Sequence, residues 1–221
     1  DKTLEILQSY SQVQLIQRQF DTHTNQWNYG LQQVKTEWVL SLDADYVLTD
    51  ELIAELQAVP NDSLLDSYQV RFKYCVFGKP LRSTLLPPRD ILFKRDKALY
   101  VEDGHTQRLQ VNGKVGMLSS YIYHDDRKPL SRWLWAQDRY MLLEAKKLLE
   151  TPVHQLSFGD RIRRYKIFAP FVLLIYCLII NRNILDGWAG LYYSFQRTLA
   201  EILLAIHLIE QEKLHQNQSD R

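Results

Sequence analysis

The sequence predicts an α/β domain over residues 1–150, a mostly parallel sheet flanked by helices, followed by a helical extension over residues 151–221. Three observations lead there. Helix-like and strand-like patterns alternate through the first quarter of the chain, the order that builds layered α/β domains. "EWVLSL" (residues 37–42) is nearly all apolar, as in a strand covered on both faces. Beyond Pro152 the strand patterns stop and apolar helical runs take over.

Taken in order, Asp1 and Thr3 offer caps for a helix over residues 2–10, with Leu4, Leu7 and Tyr10 at helical spacing. "VQLIQR" (13–18) alternates like a short strand. Residues 25–34 read as a helix capped by Thr24 or Asn25. After the apolar strand, Thr49 caps a further helix, with Asp50 and Glu51 in its first turn and Leu52, Ile53 and Leu56 on its apolar side. "SYQVRFKYCVF" (67–77) alternates as a strand, and Pro80, Pro87 and Pro88 break the loop that follows. "DILFKR", "RLQV", "KVGML" and "SYIYHDD" read as further strands, with Asn112-Gly113 as a type I′ hairpin signal between the second and third. A long amphipathic helix runs from Leu130 to about Leu149, where Pro152 stops it.

Composition narrows the function. Lys+Arg total 27 against 26 Asp+Glu, which argues against a nucleic-acid partner. Cys75 and Cys177 stand far apart and outside any C-x-x-C pattern, so neither a disulfide framework nor a zinc site follows. The chain opens on a helix cap with no strand before it, and the expectation is that its first strands lie upstream.

The chemistry gathers at "LDADY". Asp43 and Asp45 follow the apolar strand, at the strand end where open α/β sheets bind ligands, and side chains two apart on an extended strand point the same way. Carboxylates that close repel each other unless a cation lies between them. Oxygen ligands suit Mg²⁺ or Mn²⁺, and such a cation completes its shell with phosphate oxygens. A bare D-x-D also fits an ordinary polar turn.

"DKTLEIL" and "NQWNYGLQQVKTEWVLSLDADYVLTDEL" resemble the family 2 glycosyltransferases with the GT-A fold. "YIYHDDRKPLSRWLWAQDRYMLLEAKKL" is similar to bacterial members that build lipopolysaccharide or lipid-linked glycans. The resemblance implies a metal-dependent, inverting transfer of a hexose from a nucleotide-diphosphate sugar to a glycan or lipid-linked acceptor. It places Asp43 and Asp45 on metal and donor. "VEDGH" falls where the family has its catalytic base, so Asp103 is the first candidate and Glu102 the second. His124 matches a late histidine touching metal or diphosphate. Arg127 and Lys128 offer charge to the leaving diphosphate, and Trp133 and His105 offer acceptor contacts, with Trp135 beside Trp133 as a stacking partner. Each also has a plainer account: turn, surface charge or helix core. Two departures stand out. Tyr46 replaces a common acidic residue, and the family's first strand with its nucleotide-binding aspartate is absent.

"VLSLDADYV" also fits the nucleophile strand of haloacid-dehalogenase-type phosphatases, but "GDRIRR" (159–164) has arginine where their last acid belongs. A non-catalytic membrane-associated module is the third alternative. The tail decides location. Residues 167–180 form an apolar run of about 21 Å as a helix, against roughly 30 Å of bilayer hydrocarbon. Arg161, Arg163, Arg164, Lys166 and Arg182 accompany it. The expectation is a peripheral or interfacial extension on the cytoplasmic face of a bacterial inner membrane. A hairpin buried against the domain or a second copy is the other outcome.

Overall fold

The computed structural model describes residues 2–103 and 106–219. Its elements in chain order are α1 (Thr3–Gln8), α2 (His23–Gln33), β1 (Trp38–Leu40), β2 (Tyr46–Leu48), α3 (Asp50–Gln57), β3 (Ser67–Val76), β4 (Lys79–Pro80), β5 (Arg89–Lys94), β6 (Ala98–Asp103), β7 (Thr106–Val111), β8 (Val115–His124), α4 (Leu130–Glu150), α5 (Phe158–Arg163), α6 (Ala169–Ile175) and α7 (Trp188–Ser219). The main sheet has the order β1-β5-β3-β8-β2, with β4 appended to β3, and β6-β7 form a separate ribbon.

The α/β class holds, with helices flanking the sheet. The expected predominance of parallel pairing does not. Among the described residues only β3 and β8 run parallel; β1/β5, β5/β3, β3/β4 and β2/β8 are antiparallel. "EWVLSL" misled because an apolar run does not report how many neighbours a strand has. β1 is an edge strand with Leu40 42 % exposed, and it ends three residues before Asp43.

Local chemistry explains most boundaries. The Thr22 hydroxyl accepts from Asn25 N at 3.1 Å and starts α2 two residues before the expected cap. The Thr49 hydroxyl accepts from Leu52 N at 3.1 Å, as its position before two acids predicts. The expected Asp1 cap lies outside the described residues, and Lys2 precedes α1 without a side-chain cap. Residues 13–18 form no strand: the segment has no ladder partner, and Val13 and Ile16 are exposed. Nor is Asn112-Gly113 a hairpin. β7 pairs back onto β6, whereas β8 joins β3 and β2 as one continuous strand. Gly113 serves a close approach instead, since a Cβ there would lie 2.2 Å from the Asp66 carboxylate, which accepts from Lys114 N. β6 itself carries no clear alternation and is absent from the sequence reading.

Three apolar clusters hold the molecule together. Leu52 of α3 packs against Val70, Phe72, Ile91, Leu118 and Ile122 on the sheet. Trp133, Met141, Ala145 and Leu148 of α4 pack against Ala200, Leu204 and Leu208 of α7. Tyr74, Val76 and Leu81 meet Ala189 and Tyr193, docking the start of α7 onto the sheet. Polar ties reinforce this last joint. Lys79 Nζ donates to the Asp186 carbonyl at 2.8 Å, and the Tyr193 hydroxyl accepts from Leu85 N at 2.9 Å. The helix α7 therefore packs on both the sheet and α4.

Candidate functional site

Residues 41–45 carry the chain from the β1 edge of the sheet to β2, and both aspartates lie on this link. Tyr46 N donates to the Asp43 carbonyl at 3.1 Å, which closes a turn rather than an extended strand. The two carboxylates consequently diverge. Asp43 opens into a cleft, its nearest cation being Arg89 Nη1 at 4.0 Å. Asp45 turns toward the end of β8, where His124 Nε2 lies 3.2 Å away and Lys128 Nζ 3.9 Å. The His124 bond, more than Lys128, holds the Asp45 carboxyl below the usual range despite its partial burial.

His124 is placed by pairing. It sits opposite Tyr46 in the β2/β8 register, and the rings of Tyr46 and Tyr74 meet it edge-on at 5.3 and 5.2 Å. Its Nδ1 is buried with no hydrogen-bond partner. Burial pushes the Tyr46 phenol well above its ordinary value, so it stays neutral and accepts from Arg89 Nη1 at 3.4 Å.

The cleft beneath Asp43 has a volume of about 490 Å³. Its walls are Trp27 of α2, Ser41 and Asp43 of the link, Tyr46 of β2, Arg89–Ile91 of β5, Tyr100 and Asp103 of β6, and Arg108 of β7. Asn28 pins α2 to β6 by donating to the Tyr100 carbonyl at 2.9 Å and accepting from its N–H at 3.0 Å. The Tyr100 hydroxyl meets the Ser41 hydroxyl at 2.7 Å. Asp103 is anchored by Lys147 Nζ at 2.8 Å, with Arg108 Nε at 3.7 Å from its other oxygen. Burial disfavours the Lys147 ammonium, but Asp103, Glu144 and Asp160 outweigh it and raise its pKa.

The structure thus brings Asp43 and Asp103 to one cleft and sets Asp45, His124 and Lys128 beside it. Glu102 does not join them. Successive side chains on β6 alternate, and Glu102 faces a second cleft beside α4. Arg127 pairs with Asp125 at 2.7 Å and is mostly exposed, while Lys128 also reaches Asp126 at 3.1 Å. Trp133 needs correction as an acceptor contact. It is 4 % exposed, packed between α4 and α7 with Arg197 over its ring, so no sugar can stack on it. His105 lies outside the described residues. Arg163, counted among the basic residues of the tail, is an internal ion-pair partner, and Lys166 pairs with Glu212. Trp27, Arg89, Tyr100, Arg108 and Lys147 escaped the sequence reading because their contacts are long-range; each lies in an unremarkable helix, strand or loop pattern.

An α/β sheet with two aspartates on its crossing link and a further aspartate across the cleft is consistent with a GT-A-like fold. The family model for glycosyl transferase family 2 matches residues 1–119, more than half of the chain, and the chain belongs to that family. No match is found among curated proteins. Family membership makes the chain a glycosyltransferase and implies a nucleotide-sugar donor and an acceptor. It also removes the phosphatase alternative.

Proposed function

We propose that this glycosyltransferase moves a hexose from a nucleotide-diphosphate sugar to a hydroxyl of a glycan or lipid-linked acceptor, inverting the anomeric centre, with Mg²⁺ or Mn²⁺. The observation that carries it is the cleft walled by Asp43 on one side and Asp103 on the other. That arrangement favours a donor and a base in one enclosure.

The side chains fit a hard divalent cation in part. Among the described residues no three His, Cys, Asp or Glu side chains converge into a ready-made shell. Asp43, Asp45 and His124 nevertheless supply two carboxylates and an imidazole, and Mg²⁺ commonly takes only one or two protein carboxylates and the rest from phosphate and water. Asp45 and His124, 3.2 Å apart, would hold it, with Asp43 facing the donor from the cleft. Bound there, the cation supplies Lewis-acid stabilisation to the departing diphosphate. Arg89 and Arg108 face the same cleft, and Lys128 lies beside Asp45; all three offer charge to the phosphates. Asp103, oriented by Lys147, accepts the acceptor's proton as that oxygen bonds to the anomeric carbon. The bond from that carbon to the diphosphate oxygen breaks, and its electron pair leaves with the nucleoside diphosphate.

Location follows from the tail. Tyr165, Ile167, Phe168, Phe171, Ile175, Ile179, Ile180, Ile184, Leu185 and Trp188 are all exposed, and residues 167–181 contain no charged side chain. Arg161 and Arg182 stand exposed at its two ends. No helix among the described residues is long and apolar enough to cross a membrane. An apolar face with basic flanks suits the interface of an anionic bilayer. This favours a peripheral enzyme of cell-envelope biosynthesis on the cytoplasmic face of the bacterial inner membrane.

Calorimetric titration of UDP and GDP, with and without Mn²⁺, tests the donor site. Binding should require Mn²⁺, and Asp45→Asn should weaken it at least about tenfold, roughly 1.4 kcal/mol. Metal-independent binding of unchanged strength in Asp45→Asn would refute the cation.

A further inference from the structure

The second cleft is unaccounted for by donor binding. It has a volume of about 630 Å³, within the roughly 300–1,000 Å³ usual for small-molecule sites. The segment before α2 supplies Phe20, the start of α2 supplies His23, β6 supplies Glu102, and α4 supplies Trp135, Arg139 and Leu143. Trp135 is 63 % exposed and Phe20 57 %, a large aromatic surface to leave in water. Arg139 lies 4.9 Å above the Trp135 ring, and His23 meets Phe20 edge-on at 5.1 Å. The stacked guanidinium is planar and pre-oriented, a donor fork beside an aromatic face. Glu102 adds a carboxylate acceptor.

Aromatic faces with a donor fork and a carboxylate match one ligand chemistry well. A pyranose ring presents apolar C–H faces to aromatic rings and hydroxyls to charged groups at its rim. Position narrows the role. Glu102 and Asp103 are neighbours on β6 and face the two clefts in turn. Lys147, which orients Asp103, lies one helical turn beyond Leu143 on the same side of α4. A sugar in this cleft therefore lies across β6 from the base, the place of an acceptor sugar set back from the reacting hydroxyl.

We propose that this cleft, built on Trp135, Arg139, Glu102 and Phe20, binds a sugar unit of the acceptor set back from the reacting hydroxyl. The inference rests on the donor and base assignment above, and Glu102 becomes an acceptor-binding residue rather than a second base.

The test uses saturation-transfer NMR on the full chain with the methyl glycosides of glucose, galactose, mannose and N-acetylglucosamine, each with and without UDP and Mn²⁺. At least one glycoside should bind. Trp135→Ala and Glu102→Gln should each weaken it by about fivefold or more, the scale of losing an aromatic or charged contact. UDP affinity should stay within about twofold in both variants, which also shows that they remain folded. Binding of no glycoside in either state, or wild-type affinity in both variants, would overturn the proposal. Loss of glycoside binding in the variants together with no UDP or GDP binding by the wild type would support the cleft and overturn the donor assignment instead.

Discussion

Arg163→Met should unfold this protein far more readily than its place in a basic stretch suggests. Arg163 Nη1 donates to Glu144 Oε1 at 2.9 Å and lies 3.4 Å from Asp160, while its Nε lies 3.1 Å from Glu201 Oε1. The guanidinium thereby ties α5 to α4 and α7. Its partners are deeply placed, with side chains only 7 % and 13 % exposed for Glu144 and Glu201. Burial raises the Glu201 pKa, and Arg163 pulls it back only in part. At Arg163 the balance is opposite: burial disfavours the charge, but Glu201 and Glu144 outweigh it and raise its pKa. Removing the cation strands two carboxylates in a largely dry site. Breaking one partner out of a buried pair costs about 3–5 kcal/mol. For a chain of this length that corresponds to a fall in Tm of roughly 6–20 °C. Urea unfolding followed by circular dichroism at pH 7.5 measures it.

Acid supplies the second arm of that test. A carboxyl whose folded pKa lies above its unfolded value of about 4.3 costs stability fully above the folded pKa. The cost is relieved as pH falls through that value. The gap between variant and wild type should therefore narrow between pH 7.5 and pH 5. Adding Glu144→Leu and Glu201→Leu to Arg163→Met should recover much of the loss at neutral pH, because apolar packing needs no counter-charge. A loss below about 1 kcal/mol, or a gap that does not shrink on acidification, would refute the network.

Three other perturbations follow from single contacts. Asp103→Asn should cut turnover by about two to four orders of magnitude while UDP affinity is unchanged, and equal losses in both would remove Asp103 from the role of base. Gly190→Ala would place a Cβ 1.8 Å from the Asn183 carbonyl, so the start of α7 must shift; a stability loss of about 1–3 kcal/mol is expected in thermal unfolding, and none would show that the joint is loose. The chain should float with phosphatidylglycerol vesicles and not with neutral ones, and Phe168→Asp with Phe171→Asp should abolish flotation; a wild type that stays at the bottom would refute the membrane face.

Much was legible in the sequence because it depends on neighbours along the chain. Thr49 before two acids starts a helix wherever it is found, and Pro152 ends one. "LDADY" after an apolar run marks a polar link between strands, and the apolar run of the tail shows in its composition. Family 2 membership rests on the same local patterns. What tertiary structure alone decided depends on which distant segments meet. The apolar run at 38–40 is an edge strand because β5 lies on one side of it, and no local pattern encodes that count. Asp43 and Asp45 diverge because a turn closes at Tyr46, setting one against Arg89 and the other against His124. Asp103 and Glu102 differ by one residue, yet the β6-β7 ribbon and α4 send them to separate clefts. Trp133 and Trp135 differ only by position on one helix, and α7 covers the first and leaves the second in solvent. Helical spacing identifies a face; only the partner that packs against it decides whether that face becomes core or binding surface.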